Sequence, residues 1–177
     1  MVGEGLTYLV DFIGAMRNAR TGDMVLAKVH ESAPGVRITY DVRARTPEGT
    51  FELVSDDNFR MSYRPAEGIL LGSEGSETPR QDRRPHFPMT PPVLAMFSPL
   101  DLPIWGGPRD NRRVVSAEPD GPGRIRLILG PLEGPEDPLL GGYAVVDLEL
   151  GVVLEMRYGD RDYVTTDIRT ASWMPSF

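Results

Sequence analysis

The chain has 177 residues, 40% hydrophobic and 25% charged, which is ordinary globular usage and enough length for one domain with a real core. Nineteen basic residues against 26 acidic ones leave a net charge of −7, without the basic stripe of a nucleic-acid binder and ill suited to an anionic membrane surface. The absence of cysteine excludes disulfides, thiolate metal sites and a Cys nucleophile.

Taken in order, the chain opens with MVGEGLTYLVDFIGAM, which lacks a basic n-region and carries Glu4 and Asp11. It does not read as a signal peptide. The expectation is a cytoplasmic protein as written, or a cell-envelope protein whose export signal has been removed. No run of about 18 apolar residues is present, so no membrane span is expected. Residues 5–20 read as an amphipathic helix, with Leu6, Leu9, Ile13 and Met16 on one stripe and Tyr8, Phe12, Ala15 and Ala19 beside it. Gly14 weakens this helix by about 1 kcal/mol and suggests a close approach to a sheet.

A first meander is expected over residues 24–72. Val36, Ile38, Tyr40, Val42 and Ala44 alternate with Arg37, Thr39, Asp41, Arg43 and Arg45, the period-two signature of a half-buried strand. Phe51 and Leu53, then Phe59, Met61 and Tyr63, repeat it after turns at Pro47-Glu48-Gly49 and Asp56-Asp57-Asn58. Residues 73–92 are polar and proline-rich, and read as a surface loop that cannot extend a sheet. Residues 93–105, VLAMFSPLDLPIW, are apolar but broken by Pro99 and Pro103; with the loop they form a flap region over 73–107. A second meander follows over 112–168, with turns at 119–123, Leu150-Gly151 and Gly159-Asp160, and then a tail at 169–177. The fold class is therefore α+β, mainly antiparallel β, with about nine to eleven strands.

The run EGTFELVSDDNFRMSYRPAEGILLGSEG carries Gly49, Phe59, Arg60, Tyr63, Pro65 and Gly75 in an order that resembles the lipoprotein-carrier superfamily of the LolA and LppX type. The closing run VVDLELGVVLEMRYGDRDYVTTDI is similar to that family's final hairpins, and the order of elements agrees over residues 5–168. The resemblance implies an N-terminal helix packed on a curved, unclosed β half-barrel whose concave face accepts acyl chains or another apolar ligand. Two features depart from the family: the missing export signal and the missing lipid-anchoring cysteine.

An open sheet with one apolar face must bury that face against something. A helix of 16 residues is about 24 Å long, too short to cover such a sheet alone. The flap must cover the rest, and proline-broken chain opens more easily than a packed helix. The expected site has Leu94, Phe97, Leu102 and Trp105 gating a pocket lined by Tyr40, Phe59, Met61, Leu127 and Met156. The plainer reading is that these side chains simply fill the core. Arg109, Arg112 and Arg113 flank the flap, either as a solubilising rim or as contacts to a ligand head group or an acidic partner. His30 and His86 lack ligand spacing, so no metal and no cofactor are expected. Asp160 and Asp162 around Arg161 read as a solvated hairpin tip. No phosphate loop or nucleophile constellation is present, so no enzyme is expected. The expected function is binding of an apolar or lipid-like ligand, with lipid or lipoprotein carriage as its finer form. The alternative is a protein-interaction or sensor module using the same sheet and flap.

Overall fold

The computed structural model describes residues 2–18, 23–45, 50–64, 68–73, 76–80, 92–106, 110, 112–132 and 141–172. A helix, α1 (Val2–Asn18), precedes six strands: β1 (Asp23–Ala33), β2 (Val36–Arg45), β3 (Thr50–Ser55), β4 (Phe59–Arg64), β5 (Gly68–Ser73) and β6 (Ser76–Arg80). A helical turn, α2 (Pro92–Ala95), and a 3-10 turn (Pro99–Asp101) follow. Five strands close the chain: β7 (Arg112–Pro119), β8 (Arg124–Pro131), β9 (Gly142–Asp147), β10 (Val152–Tyr158) and β11 (Arg161–Ser172).

Among the described residues, eleven strands form one unclosed antiparallel sheet in the order β6-β5-β4-β3-β2-β1-β11-β10-β9-β8-β7. Each meander zips up through its own hairpins, and the two meet where the first strand pairs with the last. The edges β6 and β7 are therefore opposite borders of the sheet, so the chain between them must cross from one border to the other. That crossing carries the apolar flap. The sheet with its helix is the α+β curved half-barrel anticipated above.

Alternation decides which side is concave. Val25, Ala27 and Val29 of β1, Val42 and Ala44 of β2, Phe51 and Leu53 of β3, Leu127 and Leu129 of β8, and Met156 of β10 are all buried on one face. Phe51 and Tyr63 stack there at 5.8 Å. The other face carries solvated pairs such as Lys28–Asp41 at 3.4 Å and Arg43–Glu52 at 3.6 Å. Bulges bend the sheet where Leu26 and Lys28 meet β11, with Asp167 at φ 54, and again in β7 and β10.

Several boundaries differ from the sequence expectation. The helix begins at Val2 rather than at residue 5, and the expected end at 19–20 lies outside the described residues. Residues 76–80 extend the sheet as edge strand β6 instead of lying in a loop. An edge strand needs only one row of ladder bonds, so Pro79 is tolerated there. The final strand continues to Ser172, into what reads as a tail, because β1 pairs with it as far as Asp23. Gly14 does not mark a close approach, since a Cβ there would meet nothing within 4 Å.

Candidate functional site

The flap is built into the core. Leu94, Met96, Phe97, Leu102 and Ile104 are all buried, in one apolar cluster with Phe12 of α1, Leu127 of β8 and Met156 of β10. Burying each such side chain stabilises by about 1.5–3 kcal/mol. Two main-chain hydrogen bonds strap the segment to the sheet. Val153 N–H donates to Met96 O at 2.8 Å, and Val114 N–H donates to Ile104 O at 3.0 Å. Both donors sit at bulges: Leu154 is the extra residue of β10 opposite β9, and Val115 that of β7 opposite β8. A bulge interrupts the ladder locally, which leaves backbone groups for other partners. The carbonyl of Val153 is also diverted, accepting from Thr165 Oγ1 at 2.7 Å. Trp105 does not point into water; it stacks on Phe12 at 5.6 Å and donates from Nε1 to Pro99 O at 3.0 Å.

The expected site residues thus divide. Leu94, Phe97, Leu102, Leu127 and Met156 come together in the packed centre. Tyr40 and Met61 are half-buried toward one end of the concave face, and Phe59, two positions before Met61 on the same strand face, is 38% exposed. That end is where the β1–β2, β3–β4 and β10–β11 turns lie and where β7 begins. Of the three arginines, Arg113 is exposed, Arg112 is buried, and Arg109 lies outside the described residues, as does His86.

The same end holds a cavity of about 550 Å³ lined by Pro92, Arg112, Tyr158, Gly159, Asp160, Arg161 and Tyr163. Arg112 is 4% exposed and lies with its guanidinium carbon 3.7 Å from the centroid of the Tyr158 ring. Behind the cavity wall sits Glu31, also 4% exposed, at the apolar phase of β1. Its carboxylate accepts from the Tyr40 hydroxyl at 2.7 Å, pairs with the Arg161 guanidinium, and has the Tyr163 hydroxyl at 3.5 Å. The Arg161 side chain is 54% exposed, so it bridges a buried carboxylate and the cavity.

This constellation sets the local proton affinities. Burial first, and then the neighbouring Glu31 charge, push the Tyr163 hydroxyl up to about 12, against the opposing pull of Arg161. Burial and the hydrogen bond to Glu31 push Tyr40 up further. The hydrogen bond to Glu31 holds Arg161 more firmly protonated than usual. Both tyrosines are therefore neutral donors at neutral pH.

Neither Glu31 nor Arg161 is among the site residues expected from the sequence, where Asp160 and Asp162 around Arg161 read as a solvated hairpin tip. The signal was available in phase: Val25, Ala27, Val29 and Glu31 fall on one face, so a carboxylate stands where the pattern calls for an apolar side chain. Arg161 shares the phase of Tyr163 in the same way. The neighbouring Asp162 does face solvent, pairing with Arg157 at 2.7 Å. His30 is exposed and bonds Thr39 at 3.2 Å and Thr166 at 2.9 Å through its two ring nitrogens.

No family model matches the chain, and no curated protein matches it. Solved structures do. The chain is similar to the MucA/MucB complex of Pseudomonas aeruginosa, at 15% identity and a TM-score of 0.50, over 94% of this chain and 58% of that one. It is also similar to MucB alone, at 12% identity and a TM-score of 0.46 over 94% and 60% of the two chains. A third likeness is to MucB in complex with MucA(peri), at 14% and 0.43 over 98% and 57%. The chain spans less than two thirds of the length of these structures. At such identity the first likeness shows a shared fold, and no helix among the described residues is long and apolar enough to cross a membrane.

Proposed function

We propose that the chain is a non-enzymatic binding module that takes an apolar or lipid-like ligand at the open end of its half-barrel. The observation that carries this reading is an open cleft of about 550 Å³ at the end of the concave face where the β10–β11 turn lies; of the expected site residues Arg112 lines it, and Tyr40, Phe59 and Met61 do not. Its size falls within the range of about 300–1,000 Å³ usual for small-molecule sites. The flap begins next to the cleft-lining Pro92, is held to the sheet by the Val153 and Val114 amides and is divided by Pro99 and Pro103. Carriage of lipid or lipoprotein in the cell envelope is the finer form, and it rests on the family resemblance. The test is titration of delipidated protein with a fluorescent fatty acid. Saturable binding that an unlabelled fatty acid reverses is expected; a linear, unsaturable response overturns the reading.

A second reading, that sheet and flap dock a protein, draws on two observations. The flap side chains fill the centre of the concave face, which leaves less room for a ligand there. The solved structure sharing this fold at a TM-score of 0.50 is a complex of two proteins. Native mass spectrometry of material from the source cell separates the readings: added mass of a small molecule favours the first, and added mass of a polypeptide the second.

A further inference from the structure

We infer that the mouth selects a ligand by its head group, and that this head group is a carboxylate held by Arg161. The inference rests on the ligand-binding reading above and deepens it. A guanidinium carries five N–H donors in a planar fork, and Glu31 engages it from one side. The rest of the side chain faces the cavity, where it is 54% exposed. Glu31 therefore acts as a positioning residue, fixing the fork before any ligand arrives. Prepaid ordering of this kind lowers the cost of binding.

The wall around that fork suits an anion with an apolar body. Arg112 contributes a second positive charge, largely removed from water. Tyr158, Tyr163 and Pro92 contribute ring surface along the same cavity, on the path toward the flap. Two guanidiniums therefore border one cavity in a protein of net charge −7, with Glu31 already paired to Arg161. Asp160 is the counterweight: it lines the same cavity, at the exposed turn. With Glu31 on Arg161 and Asp160 beside it, the two carboxylates match the two arginines in formal charge, so the site offers directed donors without the surplus positive charge a phosphate dianion needs. The planar carboxylate also matches the fork bidentately.

The test uses the full chain and four probes that share one tail: dodecanoate, dodecyl phosphate, dodecanol and dodecyltrimethylammonium, each below its micelle concentration. Each is titrated against a bound neutral naphthylamine dye. Dodecanoate is expected to displace the dye at about tenfold lower concentration than dodecanol, a difference of about 1.4 kcal/mol, with the ammonium weakest. Arg161→Lys keeps the charge and the Glu31 pair but loses the fork. It is expected to bring dodecanoate close to dodecanol and to leave dodecanol unchanged. Asp160→Asn, a change on the exposed turn that keeps the fold, is expected to tighten both anions, dodecanoate and dodecyl phosphate, and to leave dodecanol unchanged. Equal displacement by all four probes leaves the binding reading standing and overturns the head-group inference. Tighter binding of the phosphate overturns the choice of carboxylate. Failure of every probe overturns both readings.

Discussion

Glu31 and Arg161 form an ion pair whose two members sit in different solvents, and that asymmetry predicts unequal mutational costs. Removing Arg161 leaves a carboxylate at 4% exposure with, among the described residues, the Tyr40 and Tyr163 hydroxyls beside it. Arg161→Ala is therefore expected to cost about 3 kcal/mol, the low end for a broken buried pair because the cavity admits water. Glu31→Gln leaves a half-exposed guanidinium that water solvates, and is expected to cost about 1–2 kcal/mol. Equal losses in urea denaturation would contradict this. The tyrosines add a pH window. Tyr163 loses its proton near pH 10 in the unfolded chain and only at about 12 in the folded one, because burial and then Glu31 oppose the charge. The stability it contributes is whole below pH 10 and is lost as pH climbs toward 12. Denaturation midpoints should fall over that interval, and Tyr163→Phe should flatten the fall. An unchanged slope in the variant would assign the loss to other groups. At the acid end the Asp57 carboxyl is held below its usual range by the Ser55 hydroxyl and then by the Phe59 amide, so what it contributes is lost as pH falls through that lowered value.

Among the elements, the flap is the one whose fate separates a fixed roof from a door. Its two straps draw on amides that the bulges in β7 and β10 release from the ladder, at Val114 and Val153. If the flap leaves the sheet as a unit, those two amides lose their acceptors together, while neighbouring ladder amides keep theirs. Hydrogen exchange should then show Val114 and Val153 exchanging at a common rate, faster than Met156 or Leu127, and slowed together by bound ligand. Rates matching the surrounding ladder would make the flap part of the permanent core. The strands themselves were legible because alternation survives wherever one face is wet, as in Val36 to Arg45. The bulges were not, since nothing in Val114-Val115-Ser116 or Val153-Leu154-Glu155 marks the inserted residue. The edge strand β6 was hidden by Pro79 and by a composition free of the apolar residues that betray inner strands. One glycine does signal its place: a Cβ at Gly142 would stand 2.1 Å from Arg157 O. Gly142→Ala is therefore expected to disturb the pairing of β9 with β10 and lower the melting temperature by several degrees, at about 1–3 kcal/mol.

Across the whole molecule, the decisive pairing is the one between the ends of the chain. Hairpin rhythm made each meander readable from local sequence, but it said nothing of how the meanders join, because β1 and β11 are more than a hundred residues apart and share no turn. Their junction is the middle of the sheet, so each half relies on it to complete the concave face. Val29 lies at the heart of the seam, paired with Tyr40 on one side and Thr165 on the other, and is fully buried. Proline at that position lacks the ladder N–H and sits badly in a central strand. Val29→Pro is expected to abolish the cooperative unfolding transition of the entire chain, since neither meander keeps a covered apolar face without the other. Pro79 and Pro119, already present in the two edge strands, mark where the same residue is harmless. Thermal melts followed by circular dichroism, with gel filtration for compactness, provide the check. If the variant retained a cooperative transition of roughly half the amplitude, one meander would be folding alone, and the sheet would have to be regarded as two units joined at a seam rather than one.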